Sequence, residues 1–315
     1  MSVDPEKRRL LERQGYRIVG SHSAVKLCHW LREKLIRKRP CYKEVFYGID
    51  CHRCLQMTPT ADQCNMNCLF CWRAQNFSKP KFDHVDDPAF ILEESLNAQT
   101  GLVSGFKGDS RCSIEEWTEA SEPRHVAISL TGEPTFYPKL GQLIQECHEK
   151  GMSTILVSNG TLPSVLARLD PLPTQLYITV AAPTPDIYNK LCSPISEDSW
   201  ERLLESLAVM KDLNTRRVVR LTLVDGWNMT HVDAYSELIS RAEPDFVEAK
   251  GYVFVGGSRN RMKWSNMPSH DGVREFSRTL SSHLGYPILD ERKESRVVLL
   301  ESGNKDRRMA SPVRL

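Results

Sequence analysis

No stretch of this chain approaches the roughly 18 apolar residues in a row that a membrane-spanning helix needs. The charged N-terminus, Met1 to Arg13, also lacks the apolar centre of a secretion signal. Charge of one sign is scarce: 42 Lys and Arg against 40 Asp and Glu leave a net +2 over 315 residues. A polycation that coats nucleic acid through bulk charge is therefore excluded, and any nucleic-acid surface must be a local patch. Ten cysteines are too few in a chain this long for a disulfide-stapled secreted scaffold. Internal repeats beyond a strand–helix alternation are absent. The expectation is a soluble, cytoplasmic protein in a reducing compartment, without membrane contact and long enough to bury one large α/β core.

The cysteines that are present are clustered. In Cys64-Asn65-Met66-Asn67-Cys68-Leu69-Phe70-Cys71, three residues separate the first pair and two the second. Three thiolates on so short a loop can grip three irons of a [4Fe–4S] cube. No fourth cysteine follows at short range, so the fourth iron is left open for chemistry. A zinc knuckle is the alternative at the level of spacing, since Cys–x2–Cys pairs also bind zinc. Upstream, Cys28, Cys41 and Cys54 are each separated by twelve residues. That spacing alone is weak. Cys28 could be a buried core thiol, and Cys51 with Cys54 could be half a zinc site.

Patterning predicts a short helix over 5–14 and a second over 22–38, where Val25, Cys28, Leu31 and Leu35 recur at helical spacing and Pro40 ends the run. An irregular stretch follows up to Cys54. Beyond the cysteine loop the spacing predicts helices over 88–106, 139–150, 198–212, 231–242 and 270–284. Strands are predicted over 125–130, 153–158, 175–182, 217–225, 246–255 and 296–300. This alternation argues for a parallel sheet covered by helices. Residues 303–315 are polar and are expected to be mobile.

With Phe70 before its last cysteine, the CxxxCxxC loop resembles that of the radical S-adenosylmethionine (SAM) enzymes. In that family the amine and carboxylate of SAM's methionine chelate the open iron, and one electron splits the sulfonium into methionine and a 5′-deoxyadenosyl radical. The resemblance implies an open (β/α)6 barrel over 61–255, preceded by a cluster-binding extension over 1–60. A short C-terminal extension over 256–315 would follow. Two tandem three-cysteine sets, together with Gly48-Ile49-Asp50 and the run Cys64 to Arg73, are similar to the tRNA 4-demethylwyosine synthases, and the likeness covers most of the chain. It implies two [4Fe–4S] clusters: Cys64, Cys68 and Cys71 for the SAM-binding one, Cys28, Cys41 and Cys54 for a second that would hold pyruvate through its own open iron, with Lys43 assisting. Cys51 is left over. It also implies condensation of N1-methylguanosine, 3′ of the anticodon of tRNA-Phe, with pyruvate. Eukaryotic members carry a flavodoxin-like domain for which there is no room before Cys28, so an external one-electron reductant and a monomer are expected. Rival expectations are another two-cluster reaction, such as methylthiolation, or a non-catalytic zinc-binding RNA module.

The likeness also assigns individual side chains. Glu133, in Gly132-Glu133-Pro134, matches the loop that holds SAM's amine, although the residues alone are equally a turn with a solvated carboxylate. Ser158 and Asn159 match positions along SAM's ribose or carboxylate, whereas an Asn-Gly pair alone reads as a turn. Arg220 could meet SAM's carboxylate or form a structural ion pair, and Asn228 follows its strand. Residues 248–251 fall near the adenine position. Lys43, two residues after Cys41, could form a Schiff base with pyruvate's ketone, bind its carboxylate, or simply face solvent. Two basic segments are candidates for RNA contact: Lys26 to Lys43, with seven cations and one acid, and Gly257 to Trp264, which pairs cations with an aromatic. Cys112, Cys147 and Cys192 are expected to be bystanders.

Overall fold

The computed structural model describes residues 3–73, 75 and 82–303. Ten strands form one sheet: β1 Tyr16–Val19, β2 Ser23–Lys26, β3 Cys54–Thr58, β4 His125–Ile128, β5 Ser153–Ser158, β6 Gln175–Val180, β7 Arg216–Leu223, β8 Phe246–Gly251, β9 Ile288–Arg292 and β10 Val297–Glu301. Their order in space is β1-β2-β3-β4-β5-β6-β7-β8-β10-β9. From β3 to β8 every pairing is parallel; β1–β2, β2–β3, β8–β10 and β10–β9 are antiparallel. Six parallel strands with an antiparallel pair on each flank make an open, partial barrel. The stretches 1–60, 61–255 and 256–315 all contribute strands to this one sheet.

The helices are α1 Pro5–Arg13, α2 His29–Arg37, α3 Tyr42–Tyr47, α4 Pro88–Val103, α5 Ile114–Ser121, α6 Leu140–Glu149, α7 Pro163–Ala167, α8 Pro185–Cys192, α9 Ser199–Asp212, α10 Val232–Ala242 and α11 His270–Leu284. Local chemistry sets several of their ends. Asp87 caps α4 ahead of Pro88, and Ser113 with Glu116 forms a capping box on α5. Gly285, in the left-handed region, ends α11. The amphipathic α6, α9, α10 and α11 bury Leu143, Leu207, Ile239 and Leu280 in one core with alternate strand residues such as Leu156, Ile178, Leu221 and Ala249. On the strands' other face, Ile155, Tyr177, Val218, Phe246 and Leu299 pack against Tyr47 and Ile49. The segment around α3 therefore fills the concave side of the sheet.

Three expectations are corrected. The range 22–38, expected as one helix, holds strand β2, which pairs with β1 just before it, and then a nine-residue helix, α2, that starts after Cys28 and is ended by Lys38 in the left-handed region. Val25 belongs to a strand, and its helical spacing from Leu31 is coincidental. The irregular stretch into Cys54 ends in β3, the first parallel strand. The helix expected to 106 stops at Val103 and runs into one 3₁₀ turn. Helices α3, α5, α7 and α8 and strands β1 and β9 have no counterpart among the elements that patterning predicts. Of the tail expected to be mobile, residues 304–315 lie outside the described residues.

Candidate active site

The cysteine loop leaves the C-terminal end of β3, the end of a parallel barrel where functional groups collect. Cys64, Cys68 and Cys71 line a cavity of about 150 Å³ together with Ser129, Glu133, Ser158, Asn159, Thr179 and Cys192. Burial and mutual repulsion push all three thiols above their ordinary pKa. For Cys68 the largest cause is its hydrogen bond with the Cys192 thiol. Three buried sulfurs facing one space hold charge only if a cation is supplied, and this donor set suits iron. Among the described residues no group of His, Cys, Asp and Glu closes on a point as it would around a single metal ion. Thiolates on the corners of a cube stand further apart than that.

Glu133 is 2% exposed, and its carboxylate accepts from Thr135 N–H at 3.2 Å, Thr135 Oγ1 at 2.7 Å, Ser158 Oγ at 2.8 Å and Asn159 N–H at 2.7 Å. Burial raises its pKa against the pull of those donors. Asn159 in turn donates to Asn65 Oδ1 at 2.9 Å, and Asn65 donates to Thr161 Oγ1 at 2.8 Å, so the loop after β5 is tied to the cysteine loop. Gly132 permits this closure. Its φ is +70°, and a Cβ there would stand 1.8 Å from Thr60 O and 2.5 Å from Gln63 O. Gly132→Ala is expected to cost about 2–4 kcal/mol of stability, since main chain must move to admit it; the midpoint of chemical unfolding checks this.

A second constellation occupies the concave side. Cys28 precedes α2, Cys41 precedes α3, and Cys54 opens β3. Burial and the neighbouring sulfurs push Cys41 and Cys54 up to about 12. The leftover Cys51 braces the main chain. Its sulfur accepts the Cys41 N–H at 3.3 Å, while Glu44 accepts the Cys51 N–H at 3.3 Å and is itself held by Lys34 at 2.6 Å.

Beside these sulfurs lies a buried polar network centred on Glu248, which is fully buried. It accepts from Tyr47 OH at 2.7 Å, Tyr177 OH at 2.8 Å, Tyr42 OH at 3.1 Å and Arg220 at 3.0 and 3.1 Å. Despite burial its pKa is lowered, because Arg220 and Lys43 are cationic neighbours. Lys43 Nζ lies 4.7 Å from the centre of the Tyr177 ring, with no hydrogen bond or ion pair among the described residues. Burial, then Arg220, depress its pKa. Lys250 Nζ donates to Ser295 O at 2.8 Å and lies 4.9 Å from the Tyr42 ring centre; burial pulls it down to about 8.

Of the side chains expected to bind SAM, Glu133, Ser158 and Asn159 line the cysteine-loop cavity, whereas Arg220 and Asn228 do not. Arg220 is committed to Glu248 and Tyr42 in the second constellation. Asn228 is fully buried and spends its amide on Val224 N–H, Ala181 O and Thr222 O, which fixes the turn after β7. Cys192 is corrected from a bystander: the end of α8 brings it into the cavity beside Cys68. No sequence signal marks a lone cysteine at that position, and only the fold reveals it. Residues 248–251, expected near the adenine position, do not line this cavity; Lys250 instead meets Ser295, in the turn before β10, and Tyr42 of α3.

The two basic segments fare differently. Between Lys26 and Lys43 the charges are largely engaged: Lys34 with Glu44, Arg37 and Arg39 with Glu33, Lys38 with Glu116, Lys26 with Gln14 O and the Tyr16 and Trp72 rings. Arg37, Lys38 and Arg39 nevertheless remain 59%, 54% and 61% exposed within these pairs. The second segment remains open. Gly256 and Gly257 press on the Trp72 and Arg73 carbonyls, Gly257 N–H donates to Trp72 O at 2.8 Å, and Arg261 donates to Leu69 O and Cys71 O. Beyond this clamp Trp264 is 67% exposed and meets Phe254 edge-on at 5.9 Å. From Ala249 to His270 there are four Lys and Arg and no acid.

Comparison with known proteins agrees with this geometry. The family model of the radical SAM superfamily matches residues 58–239, and that of wyosine base formation matches 241–302. An S-adenosyl-L-methionine-dependent tRNA 4-demethylwyosine synthase of Pyrococcus horikoshii is 50% identical over 311 residues, covering 97% of this chain and 91% of its own. The protein of the same name from Methanocaldococcus jannaschii is 38% identical, covering 96% and 98%. Among solved structures, TYW1 with a lysine–pyruvate adduct bound superposes with a TM-score of 0.88 at 38% identity, covering 96% of this chain and 98% of that one. An archaeal TYW1 does so at 0.80 and 35%, covering 96% and 97%. With a SAM-type cysteine loop at the mouth of an open six-stranded parallel barrel, and relatives matched over nearly their whole length, the chain belongs to the radical SAM superfamily, in its branch of tRNA 4-demethylwyosine synthases.

Proposed function

We propose that this enzyme condenses N1-methylguanosine, 3′ of the anticodon in tRNA-Phe, with pyruvate, one C–C bond of which breaks to release a one-carbon fragment, to form the tricyclic base 4-demethylwyosine. When bound, SAM and the iron–sulfur cluster held by Cys64, Cys68 and Cys71 supply a 5′-deoxyadenosyl radical. The chain's own groups do the rest. Glu133, Ser158 and Asn159 shape the cavity floor on which SAM would rest, with Glu133 as the acceptor for its ammonium. Cys28, Cys41 and Cys54 would hold a second cluster, with Cys51 fixing the main chain at Cys41. The observation that carries the reading is Lys43: an amine without a hydrogen-bond partner among the described residues, desolvated, and set between that cysteine set and the Glu248 network. Its nitrogen attacks the pyruvate ketone carbon, water leaves, and a Schiff base results. Arg220 holds Glu248 in place, and so supports this site instead of SAM's carboxylate. No helix of the described residues is long and apolar enough to cross a membrane.

The decisive experiment incubates the anaerobic, iron-loaded protein with SAM, pyruvate, dithionite and tRNA bearing N1-methylguanosine, and reads nucleosides by mass spectrometry. Appearance of the tricyclic base is expected; release of 5′-deoxyadenosine without it would sink the reading. Cys28→Ala should keep SAM cleavage and lose product, and unchanged product yield would remove the second cluster from catalysis.

The aromatic corner at Trp264 is the surface on which an unstacked anticodon-loop base would rest, because a base can be modified only after leaving its stack. Trp264→Ala is expected to weaken binding of an anticodon stem-loop roughly fivefold to a hundredfold, the span of one lost base–aromatic stack. Trp264→Phe should recover most of it. Fluorescence titration checks both.

A further inference from the structure

Resting on the proposal that Lys43 condenses with pyruvate, we infer that Lys250 is the group that grips the keto acid's carboxylate while its ketone meets Lys43. Three cations converge on the concave side, Arg220, Lys43 and Lys250, against the single carboxylate of Glu248. Arg220 is spent on Glu248 and Tyr42. Lys43 must offer a neutral nitrogen to a carbonyl carbon, and after condensation it has no ammonium left to give. Lys250 remains. It sits two residues beyond Glu248 on β8, so the two side chains share the concave face. One of its three N–H bonds goes to Ser295 O, and its charge rests on the Tyr42 ring. Two donors are therefore free for a carboxylate without disturbing the network.

The placement also balances charge. With Lys43 neutral, Glu248 offsets one of the two remaining cations, Arg220 and Lys250, and the residual positive charge suits an anionic guest. A neutral ketone would find no such complement. Lys250 thus acts as a specificity-determining residue: it selects an α-keto acid over a ketone without a carboxylate and sets which carbon faces Lys43.

The test uses borohydride, which reduces the Schiff base and locks the adduct on Lys43, read by mass spectrometry of the anaerobic, cluster-loaded protein. Two probes are compared, pyruvate and its methyl ester, which keeps the ketone and hides the charge. Wild type should trap pyruvate in preference to the ester. Lys250→Met and Lys250→Gln should each lower pyruvate trapping roughly tenfold, the worth of one charge-assisted hydrogen bond, and leave ester trapping within about twofold. Lys250→Arg should recover part of the preference. If pyruvate trapping is unaffected in both neutral variants, or if both probes are lost together, Lys250 does not read the carboxylate. Absence of any pyruvate adduct on wild-type Lys43 would overturn the Schiff-base proposal itself, and this inference with it.

Discussion

Lys43→Ala and Lys43→Arg are expected to abolish the tricyclic product, by at least about a thousandfold, while SAM cleavage survives. The Arg variant is the sharper of the two. It keeps the positive charge beside Glu248 and the contact with the Tyr177 ring, and it removes only the capacity to become a neutral nucleophile, since a guanidinium does not lose its proton in proteins. Loss of product in both variants, with 5′-deoxyadenosine still released, assigns the nucleophile to Lys43. Had Lys43 served only as a counter-charge for the carboxylate, Lys43→Arg would retain most of the product. The expected magnitude follows from what covalent catalysis and positioning contribute together, of order ten thousandfold or more. Quantifying both nucleosides from one reaction separates the outcomes.

Glu248→Ala is expected to lower stability by about 3–5 kcal/mol, the cost of removing one partner from a buried ionic network. Five donors converge on that carboxylate from α3, β6 and β7. Without it, three tyrosine hydroxyls and an arginine lose their acceptor, and Lys43 and Lys250 lose their compensating charge. Glu248→Gln keeps an acceptor oxygen but not the charge, and its loss should be smaller. Chemical unfolding at neutral pH, with the slope unchanged and the midpoint lowered, checks the direction and order.

The parts legible in the sequence are those in which local pattern and tertiary role coincide. Strands β5 and β6 are short, mostly apolar runs bounded by turns, and helices α6, α9 and α10 carry one apolar face; nothing in the fold overrides either signal. The cysteine loop is legible because its three cysteines fall within eight consecutive residues. The β1–β2 hairpin is not, because two four-residue strands are too short to show alternation, and Val25 falls into register with α2 by chance. Strand β3 is hidden by the cysteines around it. Within the site, Lys43 can be named from its adjacency to Cys41, and Glu133 from the family resemblance alone. The role of Glu248 as a hub depends on residues 28 to 206 positions away, and Cys192 and Lys250 likewise meet distant partners, which one-dimensional pattern does not carry. The engaged state of the first basic segment is similar: four of its cations meet acids that the sequence places both nearby, at Glu33 and Glu44, and as far off as Glu116.

The clamp between the Gly256–Gly257 turn, Arg261 and the carbonyls of Leu69, Cys71 and Trp72 joins two loops that would otherwise fluctuate separately. Rigidity imposed on either is then shared by the other. If iron fills the thiols and RNA the aromatic corner, as proposed above, the shared clamp is expected to link the two, each strengthening the other by an equal factor. A molecule stripped of metal would thus present a softened platform to its macromolecular substrate, so that the polynucleotide is gripped best by the protein already equipped to change it.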